Sequence, residues 1–423
     1  MKSGITRAAV LIVTGWVLAF APQTAFSQQS EPSPLLQQGH PVDWWFVFKL
    51  NVGIFPGCND NKERECPFGG KTSFPHGAIG QQFVFASSDD HTLQNGHDCI
   101  GDETTDPVGA TFAEVYNGTL NYVLWNDQFY GDPIPDDSCT LGDGHACDGP
   151  WGHSKGMVAW NDAGQGFVMQ VTTPDWPGSG SSQHERERGN TLGCTKDNNV
   201  AYSQSFFALK LTKEDLKFVL AALRKASVAT NPNDPQIVRN GGPQDVQALV
   251  SELGKKVRDK KVLKETLSSG VVLIAKPSSL HVPPWQMVSA VLNSVPLRVA
   301  SWRGSGNYGS TSSSSAIGCW DDSLAAPGDV QIATSGSWEN KAFSLNAFGT
   351  GHDGNHAKIA VSTGGGHPYS IFGDENEQGN LSGTSSECKV SQNGRGGLFF
   401  VVDDQALHDS VADLIAGESA PPE

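Results

Sequence analysis

Two short segments carry residue types that can act together on an anionic ester: His153-Ser154-Lys155 and His356-Ala357-Lys358. Each runs straight into an apolar segment, Met157-Val158-Ala159-Trp160 after the first and Ile359-Ala360-Val361 after the second. Such segments read as strands, and side chains at i and i+2 of a strand share a face. Each copy therefore aims one imidazole and one ammonium at the same place. A neutral imidazole can attack phosphorus to give a phosphohistidine. A protonated one can donate to the leaving oxygen and then take a proton from water. Lys brings a point charge and Asn an amide donor, and both can hold phosphate oxygens as charge builds. Asn199 and Asn393 join the set, because each lies five residues after a cysteine, Cys194 or Cys388, and each precedes an apolar segment. The lysines neutralise the phosphate, so the scheme calls for no metal and no cofactor. A metal pair of His352 and His356 would need a helix, and Gly354 argues for a loop. One His-x-Lys alone is a weak signal, equally suited to a polar strand end bonded to its neighbours. The weight lies in the repetition.

The elements around the two copies repeat as well, in the order loop, His-x-Lys, strand, turn, strand, loop, cysteine, strand. In the first half, strands are expected at 42–50, 81–86 and 120–125, a hairpin at 155–160 and 166–171, and a strand at 201–211. Thr212 then caps a helix over 213–226, with Leu216, Val219, Leu220 and Leu223 at helical spacing. In the second half, helices are expected at 244–257, 284–295 and 405–415. Strands are expected at 271–275, 343–347 and 398–402, with a hairpin at 359–362 and 369–372. The basic run 255–264 reads as a solvated helix face, with part of a nucleic-acid-facing surface as the alternative. Trp44, Trp45 and Trp302 read as core rather than as stacking platforms for bases. A weak internal duplication with strands and helices alternating in each half implies an α/β layered fold.

The chain has 423 residues, 38% hydrophobic and 17% charged, which is ordinary globular composition for two domains or one domain of two halves. Residues 1–27 read as a signal peptide: Lys2 and Arg7, an apolar run from Ala8 to Ala21, and Ala25-Phe26-Ser27 as the cleavage site. That run is shorter than the roughly 20 residues a membrane span needs, and no span is expected in the mature chain. Residues 28–39 are a flexible lead-in, 40–229 the first half, 230–242 a Pro/Asn/Gly-rich linker and 243–423 the second half. The eight cysteines, Cys58, Cys66, Cys99, Cys139, Cys147, Cys194, Cys319 and Cys388, imply disulfides in an exported protein, secreted or periplasmic. Cys58–Cys66 and Cys139–Cys147 suit local loops, which leaves Cys319–Cys388 and Cys99–Cys194 to tie one half each. Spacing does not fix that connectivity. The formal net charge is −16, against the usual sign for a nucleic-acid partner. In acid the 12 His would add positive charge, so the balance points to a polyanion bound in acid or at low salt, or to none.

With these residues in view, the chain resembles deoxyribonuclease II, the acid DNases of the phospholipase D-like superfamily. The resemblance is carried by Val42-Asp43-Trp44 through Lys49-Leu50, Tyr122-Val123-Leu124-Trp125-Asn126-Asp127-Gln128 and Gly152-His153-Ser154-Lys155-Gly156. It continues in His356-Ala357-Lys358, Gly373-Asp374-Glu375-Asn376 with Gln378-Gly379, and Arg395-Gly396-Gly397. It implies a phospholipase D-like pseudo-dimer, two sheet-and-helix halves with one active site at their junction, in a monomer. It also implies metal-independent endonucleolytic hydrolysis of double-stranded DNA to 3′-phosphate ends. His153, Lys155, His356 and Lys358 would form the catalytic core and Asn199 and Asn393 its amides. Arg303, Arg395 and Lys49 are the candidate phosphate contacts. A phospholipid phosphodiesterase and a non-catalytic nucleic-acid-binding module are the alternative readings on the same fold. In one respect the chain departs from the superfamily. The acidic residue expected five positions after each Lys is replaced by Trp160 and Thr363, which leaves open what orients each histidine.

Overall fold

A computed structural model describes Met1 and residues 31–55, 82–97, 100, 104–116, 118–129, 139, 147–174, 202–304, 308–348 and 353–423. Residues 2–27 of the expected leader, Cys58, Cys66, Cys99, Cys194, Asn199 and His352 lie outside the described residues. Residues 31–423 form one compact unit. The first sheet takes β1 (Trp44–Lys49), β2 (Phe83–Ser87), β3 (Gln94–Asn95), β4 (Asn121–Asn126), β5 (Lys155–Trp160), β6 (Gly166–Val171), β7 (Gln204–Leu211) and β8 (Val238–Arg239). Their order is β8-β4-β5-β6-β7-β1-β2-β3. The second sheet takes β9 (Leu263–Thr266), β10 (Val272–Lys276), β11 (Leu297–Ala300), β12 (Val330–Ile332), β13 (Ile359–Ser362), β14 (Tyr369–Gly373) and β15 (Gly397–Asp403). Their order is β9-β10-β15-β14-β13-β11-β12, antiparallel except for the β11–β12 pair.

The described helices are α1 (Pro107–Tyr116), α2 (Lys213–Lys225), α3 (Gln244–Val250), α4 (Pro284–Val291) and α5 (Gln405–Leu414). The two sheets share one order of elements. The run β1-β7-β6-β5-β4 matches β10-β15-β14-β13-β11 neighbour for neighbour and in chain order, whereas the outer neighbours differ, since β2 follows β1 in the chain and β9 precedes β10. In chain order α1 precedes β4 as α4 precedes β11, and α2 follows β7 as α5 follows β15.

Alternation along the strands explains how the layers stack. In β1, Trp45 points outward and its Nε1 donates to Thr111 of α1 at 3.0 Å, while Phe46 points inward and stacks on Phe372 of β14 at 4.2 Å. In β15, Phe399 meets Trp285 of α4 edge-on at 5.2 Å, while Phe400 faces Phe207 of β7 at 5.4 Å. Both sheets are therefore apolar on both faces, and the strands read as continuous hydrophobic runs rather than alternating ones. Aromatic pairs of this kind add about 0.5–1.5 kcal/mol each beyond the area they bury.

The two hairpins stand where the sequence places them, and α2 starts at the Thr212 cap with a full capping box through Asp215. Other elements differ. α1 goes unmarked in the sequence reading, although Asp106 caps it by accepting from the Val108 and Gly109 amides and Pro107 opens it. α3 ends at Val250, not 257, and Gly254 follows at φ +66°. The basic run beyond it is chain without regular structure that passes into β9 at Leu263, not a helix face. α4 stops at Val291 because Asn293 and Ser294 turn to positive φ. The strand expected at 343–347 is Lys341–Ser344, paired with Ser335–Trp338 in a separate ribbon. β8 lies inside the expected linker and pairs with β4. The disulfides Cys139–Cys147 and Cys319–Cys388 form, the first a local loop and the second one of the two longer pairings the sequence left open. Among the described residues no helix is long and apolar enough to cross a membrane.

Candidate active site

Each His-x-Lys sits at the mouth of its hairpin, and each histidine is gripped by the other sheet. The His153 amide donates to the Gly396 carbonyl at 2.8 Å, just before β15. The His356 amide donates to the Ser203 carbonyl at 2.7 Å, just before β7. The rings follow the same reciprocal pattern. Nδ1 of His153 bonds the carbonyl of Asp374, the first residue after β14, at 2.8 Å. The His356 ring bonds the carbonyl of Thr172, the first residue after β6. Gln204 Oε1 and Lys358 Nζ each stand 3.2 Å from its Nδ1. Backbone carbonyls thus orient the histidines in place of the missing acidic residue. A carbonyl only accepts, so Nδ1 of His153 carries its hydrogen and the neutral ring keeps its lone pair on Nε2.

All four side chains are buried, at 7% exposure or less. Burial first, then the charges of Lys155, Arg395 and Lys358, hold His153 well below the ordinary imidazole value of 6.5. Burial, Lys358, Lys155 and His153 do the same to His356. Lys358 is pushed well below its usual range by burial and by Lys155, and its Nζ donates to the His356 carbonyl at 2.6 Å. Charges at the mouths of both hairpins thus bear on one another at a single place. An anion among them would reverse each of these electrostatic causes.

The two hairpin mouths are not electrically equal. Lys155 Nζ pairs with Asp127 Oδ1 at 2.6 Å, and Asp127 Oδ2 receives Arg395 Nη2 at 2.9 Å. Asp127 follows β4 directly. Trp302 holds the matching place two residues after β11, and packs edge-on against the His356 ring at 4.9 Å. The first lysine therefore has a carboxylate partner where the second histidine has an indole.

Of the other candidates, Arg395 is buried at the entry to β15 and reaches the segment before β5, donating to the Trp151 and Gly152 carbonyls at 3.0 and 3.1 Å besides Asp127. Lys49 ends β1 and donates to the Tyr202 carbonyl at 2.6 Å, in the segment entering β7. Lys276, which the sequence reading passes over, ends β10 and donates to the carbonyls of Gln392, Asn393 and Arg395, in the segment entering β15. Its place at a strand end like that of Lys49 was the available signal. Asn393 is buried, and its Nδ2 donates to the Asn380 carbonyl at 2.7 Å. Arg303 is half-buried, within 3.3 Å of Asn346 Oδ1. Trp44 and Trp45 belong to the core, whereas Trp302 lies half-exposed at the rim. Residues missed as site members include Asp127, Thr172, Gln204, Asp374 and Glu375. Burial pushes Asp374 up to about 7 against the bonds from Ser154, the Leu398 amide and Gln170. Burial also pushes Glu375 and Glu377 up to about 8, with Lys276 and Arg303 respectively opposing it most.

The family model described as Deoxyribonuclease II matches residues 33–418 of the chain. No curated protein matches it.

Proposed function

The chain belongs to the deoxyribonuclease II family, and from that premise we propose that it is an exported acid endonuclease cleaving double-stranded DNA to 3′-phosphate ends without a metal. One observation carries the reading: two buried histidines, each beside a buried lysine and each oriented by a carbonyl of the opposite half. The matched order of the two sheets supports a pseudo-dimer with one site at the junction. The leader-like first 27 residues and the two disulfides support export.

In the proposed reaction a neutral imidazole attacks phosphorus and the P–O5′ bond breaks. The second histidine, protonated, gives its proton to the departing O5′. Water activated by that same residue then hydrolyses the 3′-phosphoryl histidine, restoring both rings. Lys155 and Lys358 hold the non-bridging oxygens. His153 suits the nucleophile's role in one respect, since its hydrogen is fixed on Nδ1 and Nε2 is free to attack. An acidic optimum follows, because the acid histidine keeps its proton only at low pH while its neighbours are cations.

The test is plasmid cleavage at about pH 5 in EDTA. Cutting is expected, and His153→Ala and His356→Ala should each reduce it by orders of magnitude, since the two rings serve one reaction. Cutting that appears only after Mg²⁺ is added would defeat the proposal.

A further inference from the structure

We infer that Phe348 and Trp302 form an aromatic platform that receives the face of a nucleobase beside the scissile phosphate, an inference that rests on the DNA reading above. Phe348 is 66% exposed, among the few large apolar side chains left in water on the described surface. A single exposed aromatic means little by itself. What matters is its line of contact to the reacting group. Phe348 meets Trp302 edge-on at 4.9 Å, and Trp302 meets the His356 ring edge-on at 4.9 Å, with Tyr202 tilted against the same indole at 6.2 Å. Two ring-to-ring steps thus lead from open solvent to the imidazole. Bases follow one another every ~3.4 Å along a strand, so the platform falls within about three nucleotides of the phosphate.

The platform is anchored to the site. Asn346, two residues before Phe348, accepts from the Asn355 amide at 2.8 Å, one residue before His356. Its side chain also lies 3.3 Å from Nη1 of Arg303, the residue after Trp302. Movement of Phe348 away from His356 would strain both bonds. Every base offers a π-face, so such a surface grips without demanding a sequence. In a duplex it acts as a wedge at a locally opened step, as apolar side chains do in proteins that kink DNA. Steps that unstack easily, pyrimidine followed by purine, should then be cut faster.

The experiment compares wild type, Phe348→Ala, Phe348→Leu and Phe348→Trp on defined duplexes at acid pH. One duplex is intact, and a series carries an abasic residue at each of three positions on either side of one reporter phosphate. Phe348→Ala and Phe348→Leu should lose roughly 5-fold or more in kcat/KM on the intact duplex, mainly through KM. Phe348→Trp should keep most of the activity. At one abasic position the loss caused by Phe348→Ala should shrink to near unity, because the base it would have lost is already gone. Thermal melting of the variants checks that the exposed site leaves the fold intact. A Phe348→Ala enzyme equal to wild type on the intact duplex overturns the inference. So does a loss of the same size at every abasic position. If the wild type cuts no DNA, the functional reading fails first and carries this one with it.

Discussion

The segment after β14 makes stability depend on pH in an unusual direction. Asp374, Glu375 and Glu377 are all buried there, and neither oxygen of Glu375 meets a hydrogen-bond partner among the described residues. Glu375 and Glu377 rise from 4.5 to about 8 in the folded protein. Between those values the folded protein holds two protons that the unfolded chain has released. Stability then falls as pH rises, by about 1.4 kcal/mol per proton per pH unit. The two glutamates together account for roughly 5 kcal/mol between pH 5 and pH 7, with Asp374 adding in the same direction. His153 and His356 act oppositely, since they stay neutral when folded and take protons when unfolded, but only below about 6.5. By the same slope the two histidines offset roughly 4 kcal/mol between pH 5 and 6.5, so the wild type should be less stable at pH 7 than at pH 5 by only part of the glutamate figure, with the fall steepest above pH 6.5. Glu375→Gln with Glu377→Gln, which mimics the protonated acids at all pH values, should erase or reverse that slope. Urea unfolding at pH 5, 6 and 7 reads both. A wild type at least as stable at pH 7 as at pH 5, or a double variant with an unchanged slope, would refute the reasoning.

Asp127→Asn leaves Lys155 and Arg395 facing each other without their shared carboxylate. Removing one partner of a buried pair costs about 3–5 kcal/mol, so denaturant midpoints should drop and turnover with them. At Gly396 a Cβ would lie 2.1 Å from the Ala226 carbonyl, so Gly396→Ala must push the β15 entry away from the C-terminal end of α2 and disturb the Gly396 carbonyl that holds the His153 amide. A loss of about 1–3 kcal/mol, as for overpacking, and weakened cleavage are expected from urea titration and plasmid assay. The basic limb of the kcat/KM profile should lie below the ordinary 6.5, and in Lys358→Met, with one neighbouring cation gone, it should move toward neutrality even as the rate falls. Initial rates across pH 3.5–7 on about half-unit steps decide this.

How much of this was readable from residues alone depended on distance along the chain. The two hairpins, the Thr212-capped helix and the His-x-Lys repeat are local patterns. Hydrophobic period and turn residues specify them within a dozen positions, and so the candidate groups could be named from the sequence. The short strands β11 and β12 and the end of α4 escaped because pairing partners and backbone turns, rather than composition, define them. The role of Arg395 as a tie to Asp127 and the carbonyl of Asp374 as the support of His153 both join residues from opposite sheets. No spacing encodes these contacts. They exist because the inner faces of the two sheets close on Phe46, Phe207, Phe372 and Phe400, and that packing sets where two remote hairpin mouths meet. The amino-acid order thus dictated which chemical groups were present and on which local element each stood. Only burial in the tertiary structure decided their charges, their partners and their common focus.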